Sequence, residues 1–285
     1  MLCVFSARAE EPWEEYALDV LPAQDIGVRA ALPSTLAGVL PERVDLSRNV
    51  PPIGDQGREG SCLAWALGYY YRGYQERIER RWSFRDPAHL FSPSYLYNQR
   101  RAVDCATQRG MSFPNGLELL QERGIAPLTT FSAADPCTQP PPEALAAAQE
   151  YRIASFAPLY MHAGEADIMA LRGLLAREEV FAIMVRVHTG FYRVTPSAPV
   201  VNVPESGESY YGRHALLVIG YDDALGAFRV ANSWGADWGA HGYAYVSYDY
   251  VLQESEEGWI MKDIITDHPA LPTYSLALPA VHRAA

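Results

Sequence analysis

Hydrophobic positions along this chain change their period near its middle. In the first half, apolar residues recur at helical spacing between proline- and serine-marked starts. "SCLAWALGYYYRGYQERIERR" is apolar and aromatic on most faces at its start and charged at its end, which predicts a helix buried where it begins, with Ser61 as its N-cap. "FSPSYLYNQRR" predicts a short helix entered at Ser92 and Pro93. "SFPNGLELLQERG" predicts another, entered near Pro114 and stopped by Gly124, and "DPCTQPPPEALAAAQEYR" a proline-rich turn followed by a short helix. A further helix is expected in "PWEEYALDVL", near the N-terminus, whereas residues 40–57 carry five Pro or Gly and should be extended and loop-like.

After residue 151 the texture differs. "EADIMALRGLLAREE" is helical, and then come runs rich in β-branched and aromatic residues: 180–187, 214–222, 228–234 and 243–251. A helical half therefore precedes a mainly β half. The expected organisation is a leader over 1–39, a mainly helical lobe over 40–150 and a mainly β lobe over 151–285, an α+β fold.

Composition narrows the function classes. Hydrophobic residues make up 49% of 285, enough for a substantial core, and no apolar run approaches the roughly 18 residues of a membrane span. The net charge of −11 argues against non-specific nucleic-acid binding, which needs a Lys/Arg surplus. None of the four cysteines forms a C-x-x-C pair, so neither a metal site nor a cofactor is expected. Cys105 and Cys137 lie in loop-like contexts. They are either unrelated free thiols or a disulfide, and the latter would stabilise the fold by roughly 3–4 kcal/mol through loop entropy. The N-terminal "MLCVFSARAEE" ends in an Ala7-Arg8-Ala9 pattern resembling a cleavage site, behind an apolar run too short for a complete export signal. Read as the tail of a longer signal, it points to a secreted or periplasmic protein; an ordinary terminus would leave a cytoplasmic one.

Chemistry concentrates around Cys62. A thiol where a loop turns into a helix meets unpaired N–H groups and the helix dipole, which favour the thiolate and predict a lowered pKa. Of seven histidines, His214 opens the apolar strand "HALLVIGYD". Asn232 ends the next strand, and an antiparallel pairing around "DDALGA" brings the two together. The Asn232 carbonyl then accepts from one ring nitrogen, leaving the other to face a thiol, with Trp234 shielding the bond from water.

At these positions the sequence resembles the papain family of cysteine peptidases, in a bacterial-type form. "QGREGSC", "HALLVIGY" and "NSWGADWGAHGY" occur in the family's order, and "LPERVDLS" is similar to the start of its mature chains. The resemblance spans about residues 40–255. It implies a two-lobe fold with a helical first lobe, a β-barrel-like second lobe and a cleft between them. It further implies Cys62 as nucleophile, His214 as its proton partner, Asn232 as the residue orienting His214 and Gln56 as an oxyanion donor beside the Cys62 N–H. Gly110, Met111, Ser112, Arg213 and Trp234 are the implied substrate-cleft residues. The activity implied is endopeptidase cleavage of peptide or protein substrates through a thioester, by a monomer.

Several positions depart from the commoner pattern. Glu59 replaces a bridging cysteine, Leu63 replaces a tryptophan, and only Gly110 remains of a Gly-Gly pair. Arg213 stands where Asp or Asn is common, and its cation either depresses the His214 pKa or points to the opposite face of the strand. A catalytically silent peptide-binding module and a transpeptidase or amidase using the same acyl-enzyme remain alternatives. The leader has apolar groups that need burial, either across the site or as a strap on the back of a lobe.

Overall fold

The computed structural model describes residues 16, 18–23, 39–100, 105 and 109–264. Helices dominate up to residue 151 and strands thereafter. Ser61 precedes α1 (Cys62–Ala64), which widens into π-helical turns over Trp65–Tyr71 and returns to α geometry in α2 (Arg72–Arg80). The Ser61 hydroxyl makes no capping bond, so the expected cap is absent. At the middle of the wide turns, a Cβ on Gly68 would come within 2.5 Å of Ile125 Cδ1, so a larger residue there would have to displace that side chain. α3 (Pro93–Tyr97) and α4 (Phe113–Arg123) begin as their sequences predict. Ser92 caps the Tyr95 N–H, Ser112 caps the Asn115 N–H, and α4 stops at Gly124 with φ of 74°. α5 (Pro142–Ala148) follows the proline-rich turn.

The described strands form one mixed sheet in the order β2-β8-β3-β5-β6-β7-β4. These are β2 (Ile153–Tyr160), β3 (Phe181–His188), β4 (Val200–Val201), β5 (Tyr210–Asp222), β6 (Ala227–Ala231), β7 (Tyr243–Ser247) and β8 (Ser255–Asp263). β1 (Arg43–Asp45), from the segment expected to be loop-like, pairs with the far end of β5. β5 and β6 pair antiparallel around 223–226, as the hairpin reading requires. α6 (Ile168–Ala176) and α7 (Thr189–Tyr192) lie between strands.

Three expectations need correction. The run 243–251 is a strand only to Ser247; the Ser247 side chain then caps α8 (Tyr248–Glu254), and a serine hydroxyl bonded to the Tyr250 N–H overrides the β propensity of "YDYV". β2 and β8 were not expected. The helix expected over 12–21 is not formed where the chain is described, since 18–23 is extended. The Ala7-Arg8-Ala9 pattern lies outside the described residues.

Helices and sheet are joined by buried polar contacts. Arg72, fully buried, donates to Gln75 (2.7 Å), to Glu76 (2.6 Å) and to Asp263 of β8 (2.5 Å). Tyr70 donates to the Asn232 carbonyl (2.8 Å) and Tyr71 to the Met261 carbonyl (3.3 Å). A Cys105–Cys137 disulfide, Cα atoms 5.1 Å apart, ties two loops of the helical part. Among the described residues no helix is long and apolar enough to cross a membrane.

Candidate active site

The long helix and the central strand meet at Cys62. Cys62 is 1% exposed, and its thiol receives the backbone N–H of Ala215, the residue after His214. His214 Nε2 lies 2.6 Å from Asn232 Oδ1, and that oxygen also accepts the Ser233 N–H at 2.8 Å. The second acceptor contact fixes the amide's orientation, so the Asn232 oxygen faces the ring and His214 Nε2 carries the proton. His214 Nδ1 is buried with no hydrogen-bond partner among the described residues. Trp234 packs on the imidazole with ring centroids 4.7 Å apart, and Phe191 lies edge-on at 6.5 Å. These rings keep water from the His214–Asn232 bond.

Gln56 is held from two sides. Its Nε2 donates to the Glu59 carbonyl (2.9 Å), and its Oε1 accepts from the Ser233 hydroxyl (2.7 Å). Its main-chain N–H donates to the Ser233 carbonyl (2.8 Å), tying the loop before Cys62 to the segment carrying Asn232. Arg213 faces away from His214, as strand alternation dictates, and pairs with Glu256 at 2.5 Å together with Arg186 at 2.6 Å. Its cation therefore does not act on the imidazole directly.

The protonation states correct one expectation. Burial pushes the Cys62 thiol up to about 11, although the N–H groups of Ala215, Leu63 and Cys62 itself pull it down. The helix start does favour the thiolate, but desolvation is the larger effect. Burial also brings His214 down to about 4, against the opposing hydrogen bond to Asn232. In this arrangement the pair is a neutral thiol and a neutral imidazole.

Described residues of the leader pack beside the site. The Tyr16 ring stacks on Trp234 (centroids 5.1 Å, planes 9° apart), and its hydroxyl donates to the Trp234 carbonyl at 3.0 Å. The Gly110 N–H donates to the Asp19 carboxylate (3.1 Å), which lies within electrostatic range of the thiol and also raises its pKa. The Val20 N–H points to the Arg213 carbonyl (3.5 Å), and the Leu21 N–H donates to the Met111 carbonyl (3.1 Å). Leu21 also forms a parallel bridge with Ser112. The Ala23 N–H donates to Glu257 at 2.7 Å. A Cβ on Gly110 would overlap the Asp19 carbonyl, which explains the glycine. The described leader residues, 16 and 18–23, thus contact Gly110, Met111, Ser112, Arg213 and Trp234, and of the two placements weighed for the leader they take the one beside the candidate site.

Sequence reasoning missed Glu257, Tyr192 and Tyr211. Glu257 stands in an acidic run that reads as surface, yet it is 2% exposed and accepts the Trp259 indole N–H at 2.8 Å. The tyrosines carry no motif; only their place in the fold brings them to the cleft.

The profile of the papain family cysteine proteases matches residues 40–257. Xylellain, a cysteine protease from Xylella fastidiosa, superposes with a TM-score of 0.73 at 26% identity, covering 88% of this chain and 97% of that one. An uncharacterized peptidase C1-like protein of Acanthamoeba polyphaga mimivirus is 26% identical over 220 residues, 74% of this chain and 69% of its own length. Peptidase 1 of Dermatophagoides pteronyssinus is 25% identical over 235 residues, 78% of this chain and 66% of its own length.

Proposed function

The chain belongs to the papain family of cysteine proteases, and from that premise we propose that it is an endopeptidase whose cleft is covered by its own leader. The observation that carries the reading is the buried His214–Asn232 pair with Nδ1 unpartnered, beside a thiol that sits on the Ala215 N–H. In this reading residues 1–39 are the leader, 40–150 the lobe carrying the nucleophile and 151–285 the lobe carrying His214 and Asn232.

The chemistry follows from those roles. Once the leader moves, water and substrate reach the site, the thiol pKa falls and the imidazole pKa rises. The Cys62 proton passes to His214 Nδ1, and the thiolate attacks a peptide carbonyl. The Cys62 N–H and the Gln56 amide hold the oxyanion, an effect worth on the order of 10²–10³ in rate per donor. His214 protonates the leaving amine, whose C–N bond breaks to leave a thioester. Water, deprotonated by His214, then hydrolyses the thioester and releases the acid. Asn232 keeps the ring oriented throughout. The Cys105–Cys137 disulfide suits an oxidising compartment and supports a secreted or periplasmic location.

The test pairs labelling with turnover. An epoxide-type thiol reagent should add once to the chain at Cys62 and abolish cleavage of internally quenched peptides. Cys62→Ala should neither label nor cleave. Labelling without cleavage of any peptide in a broad library would favour the silent peptide-binding module instead.

A further inference from the structure

The amide of Gln56 stands on a loop with open space on one side. Gly57 takes a φ of 55° and Gly60 follows three residues later, so the backbone between them is easily deformed. Asp55, Gln56 and Glu59 also line an open pocket of about 430 Å³, together with Leu128, Ala133 and Pro136. An oxyanion donor nevertheless acts only from one place, about 2.7–3.1 Å from the developing charge. On the loop itself, Glu59 is what fixes Gln56. The Glu59 carbonyl receives Gln56 Nε2 (2.9 Å), and the Glu59 N–H donates to the Gln56 carbonyl (3.3 Å). Whatever holds Glu59 therefore holds the amide.

The Glu59 side chain is half-buried and turned toward charge. Burial pushes its carboxyl up, against the Ser61 hydroxyl and the Arg100 cation, which both favour the ionised form. Ser61 is fully buried and leads directly into Cys62. Arg100 is 7% exposed and firmly anchored. One guanidinium nitrogen donates to the Tyr97 carbonyl (3.1 Å) and the Pro136 carbonyl (3.4 Å), and another to the Cys105 carbonyl (2.7 Å). The same group lies 3.9 Å over the centre of the Tyr97 ring. Cys105 and Pro136 belong to the two loops that the Cys105–Cys137 disulfide joins, so the cation is held by a cross-linked frame. The carbonyls that receive it are neutral, and Glu59 supplies an anion within electrostatic range. A buried cation without such an anion is costly.

We propose that Glu59 and Arg100 are positioning residues for the oxyanion hole. Arg100, anchored on the disulfide-linked loops, holds the Glu59 carboxylate, and Glu59 in turn holds the Gln56 amide. Neither side chain needs to touch substrate. The inference rests on the peptidase reading above and on Gln56 as an oxyanion donor. It gives a task in this chain to Glu59, one of the positions that depart from the commoner family pattern.

The test separates an action through Gln56 from a general hold on the fold. Full-length chains are given a small fluorogenic peptide amide, and competent sites are counted by labelling Cys62 with the epoxide reagent. Opening an epoxide by the thiolate forms no oxyanion on a carbonyl, so the labelling rate of Glu59→Gln should stay within about twofold of the native chain. Its kcat per labelled site should fall about tenfold with KM little changed, short of the 10²–10³ lost with a whole donor. Arg100→Gln removes the cation from the other side and should show the same pattern. In a Gln56→Ala background, Glu59→Gln should change kcat by less than about twofold, because the donor it positions is gone. An undiminished kcat in both single variants, a labelling rate that falls in step with kcat, or an equal loss with and without the Gln56 amide overturns the proposal and leaves the peptidase reading intact. A native chain that is labelled at Cys62 yet cleaves no peptide overturns that reading and this inference with it.

Discussion

At the scale of single residues, burial decides the state of the candidate dyad. His214 is neutral in the fold down to about pH 4, whereas an exposed imidazole protonates near 6.5. As the pH falls through 6.5 the unfolded chain takes up a proton that the folded chain refuses until about 4. The stability associated with this group is therefore full above 6.5 and is lost progressively between 6.5 and 4. Below 4 it changes no further. That window corresponds to roughly 3 kcal/mol. Urea unfolding at pH 4.5 and pH 7 should show the loss in the native chain and a shallower dependence in His214→Gln. Identical pH slopes in the two would mean that His214 titrates as an exposed side chain. The residue types at Cys62, His214, Asn232 and Gln56 were legible in the sequence because each sits in a contiguous motif. Their protonation was not: helix-start N–H groups are local, but the desolvation that outweighs them comes from the packing of segments distant in the chain.

Among elements, the non-helical leader segment over 18–23 is the one that the pattern misread. "PWEEYALDVL" has helical spacing, yet its end is extended because the Met111 and Arg213 carbonyls and the Glu257 carboxylate offer acceptors along the cleft. Acceptors on other elements outweigh a short helix, which is marginal in water. Leu21→Pro removes the N–H that meets Met111 at 3.1 Å. A hydrogen bond of this kind contributes about 0.5–1.5 kcal/mol, so kcat/KM of the full-length chain on a small fluorogenic peptide should rise about 2–10-fold. An unchanged or lower value would show that this segment does not restrain access. The α-helices of the first half and the hairpin of β5 and β6 were legible because caps, stops and alternation are local signals. β2 and β8 were not, since each depends on partners far away in the chain: β2 pairs with β8, and β8 with β3.

For the whole molecule, the contacts that matter join distant segments. The disulfide closes a loop of 32 residues between the strand-free loops of the helical part. Replacing both Cys105 and Cys137 by serine should cost about 3–4 kcal/mol, a fall in Tm of roughly 6–16 °C. A Tm unchanged by the double substitution would mean that the bridge does not constrain the unfolded chain. Arg72 performs a related task without a covalent bond, holding the helix to β8 through Asp263.

The sequence by itself determined the family, the order of helical and β halves and the identity of the candidate catalytic residues. These rest on motifs and periodicities that act over a few residues. Tertiary structure alone decided that residues 18–23 run along Met111, Arg213 and Glu257, that burial holds the thiol and imidazole both neutral, and that Tyr192 packs on Trp234. Each of these is set by desolvation or by contact between segments far apart in the chain, and neither quantity is written in any short stretch of residues.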